Sequence, residues 1–443
     1  MTNERKECYE CELESTLQKT MKEGFTMKKL YDLYGEYIPG FFKISINKEL
    51  HEGIAWNDFN EEEKATLVHE YIHFLQDIST TRGINNFLYV ANILQLNFAK
   101  AYEMKDCIDL PIDLEKCGND DAYKESELQS FYMGHDSHFR FHHINKILRQ
   151  QEEIINEIVD NNEERMYVIN IYYDDKDCPY MFGNTAIAES MAYLIETTKY
   201  GGMKRKNEFP YNACEIVCQE ICPSILKNVD IMVAACELSM MHYHSGDMFW
   251  HILKEINENN LKFNCVKDFE KYFFKRTYFL YENMSENFEE INPKLEFMFP
   301  AEVPLLSNTG KKFFSLIKKG YNARKQNKLF ISKIMEDNFS DAILRLISCF
   351  GIPIICDKNY NIFLGDNDYK YMLGPLALYN FFVSRCENQC HLAQFCNKQG
   401  VAVYDEKVCN ESPWNQADAN ELCLFGMYWH LYSLEGKSVK RDC

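Results

Sequence analysis

Two histidines and a glutamate stand together in the stretch ATLVHEYIHFLQD, residues 65–77. His69 and His73 are four positions apart, so a helix would project both imidazoles from one face, within reach of one metal ion. Glu70 follows His69 directly and lies off the line joining the two rings, where its carboxylate would accept a proton from a water beside the metal. Zinc prefers such nitrogen ligands and brings the pKa of water to about 7. The pattern therefore predicts a hydrolytic zinc site.

A catalytic zinc needs a third protein ligand, and the segment GNTAIAESMAYLIET, residues 183–197, supplies the best candidate. Glu189 lies in a segment whose apolar residues recur at helical spacing, and a carboxylate on the core-facing side of such a helix needs a cation. We expect a helix here that approaches the first one closely, because the neighbours of Glu189 are small: Ala186, Ala188, Ser190 and Ala192.

Together, HEYIH and AESMAYLIE resemble the HExxH zinc metallopeptidases of the gluzincin type, whose third ligand is a glutamate on a second helix. By that resemblance His69, His73 and Glu189 bind the zinc and Glu70 is the general base. The resemblance covers about 35 residues in two short segments. It implies a zincin-like fold and hydrolysis of peptide bonds.

The chain departs from that family in two respects. The gap between the last histidine and Glu189 is long, so that residues 84–180 would be an insertion. In the thermolysin-like pattern an aspartate four positions after the glutamate ligand orients a histidine, whereas here that position is Tyr193. Asp77 or Glu196 would take the orienting role instead.

Downstream, the segment MMHYHSGDMFWH, residues 240–251, contains His242, Tyr243 and His244. In metallopeptidases of this type a downstream histidine or tyrosine often donates a hydrogen bond to the oxyanion that develops on the scissile carbonyl. By the same resemblance, one of these three residues would have that role. The alternative is that they are satisfied polar groups on an aromatic-rich helix.

Another histidine group lies in GHDSHFRFHHINKIL, residues 134–148. His135, His138 and His142 would share one face if this segment were helical. They would then replace Glu189 as the source of the third ligand, or bind a second metal. An exposed or cleft-lining face of histidines is the interpretation that we favour.

Of the chain's 18 cysteines, several are concentrated near its end, in SRCENQCHLAQFCNKQG, residues 384–400. Cys386, Cys390 and Cys396 fall within eleven residues, and Cys409 and Cys423 follow. Such a group would hold a structural zinc or an iron–sulfur cluster if a fourth ligand folds back. The alternative is reduced free thiols, as we expect for the remaining cysteines of a chain of this size.

The elements that must position these residues are mostly helices. Alternating apolar and polar residues predict two strands, in 40–50 and 166–175, and the strand at 41–47 would offer a sheet edge on which an extended peptide lies. Helical spacing is found in 57–80, 84–104, 138–160, 184–199 and most of the chain after 210, with a loop near 291–310. A capping box of Asn60 and Glu63 marks the start of the first of these helices.

The predicted fold class is α+β and predominantly helical. We expect a zincin-like core over residues 36–255, in which a small sheet accompanies the HExxH helix and the helix that carries the glutamate ligand. An N-terminal helical segment, 1–35, would precede this core, and a mainly helical region with the cysteine cluster, 256–443, would follow it.

Charge and hydropathy limit the classes of partner that we expect for this protein. The chain has 443 residues, with 48 basic against 67 acidic side chains and a net charge of −19, which repels nucleic-acid phosphates. No apolar run is long enough to cross a bilayer, and the N-terminus lacks the apolar core of a secretory signal. We therefore expect a cytoplasmic protein without nucleic-acid or membrane partners.

These observations predict a zinc metallopeptidase that hydrolyses an intracellular protein or peptide, using water activated by Glu70. The alternative is a non-catalytic, zinc-binding regulatory protein with a degenerate zincin fold. A di-iron site is disfavoured, because it needs a second Glu-x-x-His pair and no histidine other than His73 has a glutamate three positions before it.

Overall fold

The computed structural model describes residues 35–50, 56–112, 120–151, 167–201, 207–275, 279–336, 339–384, 388–418 and 421–441. Within these ranges the protein is α+β and predominantly helical, as predicted from the sequence. Two expectations lie outside the described residues: the N-terminal helical segment, apart from Gly35, and the position of Cys386.

Fifteen α-helices lie in the described part of the chain, and none of them combines the length and apolarity needed to cross a membrane. They are α1 (Glu61–Ser79), α2 (Thr81–Glu103), α3 (Asp120–Met133), α4 (Asn184–Tyr200), α5 (Ala213–Ile221), α6 (Val229–Ser239), α7 (Ser245–Glu258), α8 (Val266–Phe273), α9 (Phe279–Met298), α10 (Pro304–Gln326), α11 (Phe339–Phe350), α12 (Leu373–Val383), α13 (Ala393–Lys398), α14 (Glu406–Glu411) and α15 (Leu424–Leu431).

The described strands are short and form four small sheets, in the orders β1-β2-β9-β10, β5-β6-β7, β3-β11 and β4-β8. Their bounds are β1 (Gly35–Ile38), β2 (Lys43–Ile46), β3 (Cys107–Leu110), β4 (Phe139–Arg140), β5 (Ile144–Gln151), β6 (Tyr167–Tyr173), β7 (Tyr180–Phe182), β8 (Glu208–Phe209), β9 (Ile354–Cys356), β10 (Ile362–Phe363) and β11 (Ser438–Arg441).

The strand predicted at 41–47 is not a sheet edge, which corrects the sequence-based expectation. It corresponds to β2, which pairs antiparallel with β1 and parallel with β9, Ile44 lying opposite Tyr37 and Ile355. Alternating apolar and polar side chains indicate which face of a strand is buried, but they do not indicate how many strands pair with it. Among the described strands of this sheet, β1 lies at the edge beside β2, and it also packs against α1.

A continuous cluster of buried apolar residues extends from Tyr37 to Leu434. It includes residues of α1 and α4 and of both halves of the chain. The pairing of β2 with β9 likewise joins strands from either side of residue 255. The domain boundary expected there stays a prediction.

The helix expected over 138–160 is wrong where the structure describes it. Residues 139–140 form β4 and residues 144–151 form β5, which pairs antiparallel with β6. The spacing of Ile144, Ile147 and Leu148 is compatible with a helix, but Ile147 is buried opposite Ile171 in the sheet. Pairing with a strand distant in the sequence has overridden the local pattern.

The loop expected near 291–310 is found, but only over residues 299–303, because α9 continues through Pro293 to Met298 and α10 starts at Pro304. A proline inside a helix removes one hydrogen bond and costs about 3 kcal/mol. Ile291 and Leu295, on either side of Pro293, are almost fully buried and offset that cost.

A buried ion pair of Arg324, in α10, and Glu237, in α6, lies at the end of α1. Arg324 donates to the carbonyl oxygen of Ser79 at 2.8 Å and to its hydroxyl at 2.9 Å. Glu237 accepts from the backbone amides of Ile331 at 3.0 Å and Ser332 at 2.6 Å. The pair therefore anchors the C-terminal end of α1 to two other helices.

Candidate metal centre

The helix α1 starts at a capping box and then becomes buried. Asn60 Oδ1 accepts from the amide of Glu63 at 2.9 Å, and the carboxylate of Glu63 accepts from the amide of Asn60 at 2.9 Å, which confirms the predicted cap. Three glutamates occupy the first turn, where the helix dipole favours negative charge. Residues 68–79 are all buried, so both histidines lie in the half of the helix that packs into the core.

The second helix of the site, α4, packs closely against α1. Gln76 of α1 donates from Nε2 to the carbonyl oxygen of Ala188 at 3.2 Å, a contact that a bulky side chain at 188 would obstruct. Gly183 precedes α4, and a Cβ there would lie 2.7 Å from backbone atoms of Met133 and Gly134. The small residues around Glu189 are buried, and the close approach expected from them is found.

His69, His73 and Glu189 lie together, as predicted. Glu189 Oε2 is 3.2 Å from His69 Nε2, and Glu189 Oε1 is 3.5 Å from His73 Nε2. One ligand atom from each residue lies within 4.8 Å of the others, and no other such group of histidine, cysteine or acidic residues occurs in the described ranges. Two imidazole nitrogens and one carboxylate are a ligand set that zinc uses in hydrolytic sites.

Each histidine is oriented through Nδ1, the ring nitrogen that does not face Glu189. Glu196, also on α4, lies with Oε2 2.9 Å from His69 Nδ1, and a carboxylate accepts hydrogen bonds only, so Nδ1 carries the proton. Gln76 Oε1 lies 2.9 Å from His73 Nδ1, and the bond from Gln76 Nε2 to Ala188 orients the amide so that its oxygen faces the ring. Both histidines therefore direct Nε2 towards Glu189.

The charge distribution at the site favours a cation. Burial lowers the pKa of His69, but hydrogen bonds to Glu189 and Glu196 outweigh it and raise the pKa to about 10. Burial raises the pKa of Glu189, and the two histidines reverse this and hold it well below its usual range. The two carboxylates thus stabilise positive charge at the imidazoles, which a divalent ion would also supply.

His73 provides a test of whether a metal fits. Its Nε2 atom is buried without a hydrogen-bond partner, since the 3.5 Å contact with Glu189 is too long to serve as one. A buried polar atom without a partner is costly, and coordination of a metal would satisfy it. The residues present therefore fit a metal ion.

Glu70 is buried next to this group. A Cβ at Gly35, in β1, would lie 3.0 Å from Glu70 Oε1, so a side chain there would crowd the carboxylate. Burial raises the pKa of Glu70 to about 7, while His69 and His73 oppose the rise. A carboxyl group whose pKa is near neutrality can both accept and return a proton.

Three residues of the site were missed from the sequence. Gln76 is three positions after His73, a helical spacing that could have indicated it. The ring of Tyr37 stacks on that of His73, with centroids 6.2 Å apart, and its hydroxyl donates to Asp77 at 3.0 Å. The ring of Tyr211 is 6.1 Å from that of His69. No pattern in the sequence links either tyrosine to the histidines.

The predicted oxyanion donors have partners of other kinds. The hydroxyl of Tyr243 donates to Asn287 at 2.7 Å, and Nδ1 of His244 caps α7 by accepting from the amide of Asp247 at 3.3 Å. Nδ1 of His242 accepts from the amide of His244 at 3.1 Å. The catalytic role of these residues stays a prediction.

The histidines of residues 134–148 do not share a helical face, because this segment contains strands. His135 Nδ1 accepts from the amide of Met181 at 3.1 Å, and His142 lies 3.3 Å from Asp174 at an exposed position. His138 packs its ring 5.3 Å from that of Tyr211, so it lies one aromatic ring away from His69.

Comparison of the chain with protein-family models, with curated proteins and with solved structures finds no match. The interpretation of the site therefore rests on its own geometry.

Proposed function

We propose that the protein is a zinc-dependent metallopeptidase of the gluzincin-like HExxH class, acting on an intracellular protein or peptide in the cytoplasm. The observation that carries the proposal is the convergence of His69, His73 and Glu189 beside the buried carboxylate of Glu70. A structural zinc site would not need a buried general base next to its ligands, whereas a hydrolytic site does.

Zinc bound by the three ligands would polarise the scissile carbonyl and bring the pKa of water to about 7. Glu70 takes the proton from the attacking water as its oxygen bonds to the carbonyl carbon. The C–N bond then breaks, and Glu70 returns the proton to the departing amine nitrogen.

The substrate backbone would pair with β1, which among the described strands is the outer strand of its sheet. Gly35 of this strand lies against Thr66 and Glu70, so a peptide added alongside it would pass the general base. Main-chain pairing of this kind recognises extended peptides with little dependence on their sequence. Tyr211 and His138 lie on the His69 side of the site, where they would contact the substrate.

The test uses Glu70→Gln with Glu62→Gln as the control, since Glu62 is an exposed glutamate of the same helix. We expect wild type and Glu62→Gln to cleave members of a broad peptide library. Glu70→Gln should retain one zinc per chain and lose about 100- to 10,000-fold in cleavage rate. Cleavage that persists in zinc-loaded Glu70→Gln would overturn the assignment of the base. A wild-type chain that binds zinc and cleaves nothing would favour the non-catalytic alternative.

A further inference from the structure

Four cysteines line one small cavity in the C-terminal region. Cys390, Cys396, Cys409 and Cys423 contribute to the walls of a space of about 10 Å³, room for about one water-sized atom. The rest of its surface is mainly apolar, including Leu392 and Phe425. A water there would find almost no hydrogen-bonding partners, so the space is suited to a group that sulfur ligands hold.

The four residues are brought together from separate short elements. Cys390 precedes α13, Cys396 lies within α13, Cys409 lies within α14 and Cys423 caps the N-terminus of α15. The amide of Cys390 donates to the carbonyl oxygen of Cys409 at 2.8 Å, which joins the segment before α13 to α14. Helices of six to eight residues have little stability of their own, so a crosslink between them would stabilise this region.

N–H groups are directed at three of the four sulfurs. The amide of Gly426 lies 3.3 Å from Cys423 Sγ, and Nε2 of Gln416 lies 3.8 Å from Cys409 Sγ. The amide of Leu392 hydrogen-bonds Cys390 Sγ. Hydrogen bonds to sulfur stabilise a thiolate more than a thiol, and they accompany metal-bound cysteines.

A second cluster of cysteines in the described part of the chain packs as ordinary core residues do, in contrast to the C-terminal cluster. Cys214, Cys218 and Cys222 form the helical stripe of α5 and its C-cap, all fully buried, and Cys236 Sγ lies 3.6 Å from Cys214 Sγ. These residues fill the core as small apolar side chains do. The C-terminal cysteines instead line a small cavity, whereas close packing of an apolar core leaves few such spaces.

We propose that Cys390, Cys396, Cys409 and Cys423 bind a second metal centre through four thiolates, separate from the His69 site. The ligand is a thiophilic metal, either one zinc ion or an iron–sulfur cluster, because sulfur donors select these metals. No three of the four sulfurs lie within 4.8 Å of one another, so binding draws them inwards. Each thiol releases its proton to solvent as its sulfur–metal bond forms.

The experiment measures metal and acid-labile sulfide in the full chain purified without oxygen, for Cys409→Ser and Cys423→Ser. The matched control is Cys356→Ser, because Cys356 in β9 is buried to the same degree as Cys390 and Cys409 and lies in another part of the fold. We expect both test variants to lose one metal centre and the control to lose none. Loss of zinc identifies a zinc ion, and loss of iron with sulfide identifies a cluster. Metal content equal to wild type in both test variants would overturn the proposal.

A second measurement tests the proposal even if the two cysteine variants fail to fold. His69→Ala keeps all four cysteines and removes a ligand of the first site. After metal is stripped from this variant, added Co²⁺ should produce the intense thiolate-to-cobalt absorption of a four-sulfur site. Absence of that absorption would contradict the proposal whether or not the chain is a peptidase. Glu70→Gln should keep this centre, so a failure of the proposed hydrolysis is distinguishable from a failure here.

Discussion

Glu196 Oε2 lies 2.9 Å from His69 Nδ1, at the ring nitrogen that does not face Glu189. The two glutamates are seven positions apart on α4, so two turns of one helix supply both the proposed third ligand, Glu189, and the group that orients His69. Orienting groups of this kind set the direction and basicity of a metal-binding imidazole.

Replacement of Glu196 by glutamine should weaken zinc binding by about 10- to 100-fold, because His69 loses a charged acceptor at Nδ1. Competition with a zinc-chelating dye measures the affinity. Glu220→Gln is the control, since Glu220 is exposed and the substitution makes the same change in net charge. Equal zinc affinity in both variants would show that Glu196 does not support His69.

Gln76→Leu should also weaken zinc binding, by about tenfold or more, because His73 Nδ1 loses its acceptor. Gln76→Glu keeps an oxygen at that position and should restore most of the affinity. A purely structural role would give the opposite ranking, since leucine is the better residue for a buried site and glutamate adds a charge. Isothermal titration with zinc separates the two cases.

The free energy of unfolding should depend on pH through His244. Burial lowers the pKa of His244 to about 4, although Asp247 opposes this, whereas the unfolded ring titrates near 6.5. Between these values the unfolded state binds more protons, so stability is lost as the pH falls through this window and is fully present above it. The slope contributed by one such histidine is at most about 1.4 kcal/mol per pH unit.

His244→Asn should reduce that acid sensitivity while keeping the helix cap, because asparagine is a favoured N-cap residue. Urea unfolding of the metal-free chains at about pH 7.5 and about pH 5 measures the effect. Burial also lowers the pKa of His391 to about 4, so part of the sensitivity will remain. An unchanged difference between the two pH values would refute the assignment to His244.

The buried pair of Glu237 and Arg324 should be essential to stability. Glu237→Gln leaves the Arg324 charge without its partner and should cost about 3–5 kcal/mol of unfolding free energy. Since Arg324 holds Ser79 at the end of α1, zinc affinity should fall as well. Lys312→Gln breaks an ion pair with Asp366 at the surface and should change stability little. Chemical denaturation of the three proteins tests this ranking.

The residues that converge at the metal centre were predictable because helical geometry relates them locally. His69 and His73 share a face by their spacing, and small residues around Glu189 indicated close packing of its helix. The bounds of α1, α2, α4 and β6 agree with the sequence patterns to within a few residues.

The structural features that could not be predicted from the sequence depend on contacts between distant parts of the chain. Residues 144–151 suit a helix locally and became a strand because β6 pairs with them. Tyr211 reaches His69 only through the packing of the folded chain. Pro293 would normally end a helix, and burial of the residues beside it decides otherwise.

The pairing of β2 with β9 has a consequence for synthesis of the chain. All three proposed ligands of the candidate metal centre leave the ribosome about 165 residues before Ile354, which at about 5–20 residues per second is roughly 8 to 30 seconds. During that time the nascent chain carries a full ligand set while the sheet that packs on α1 lacks its third strand. Capture of the proposed zinc ion would therefore precede the completion of this sheet.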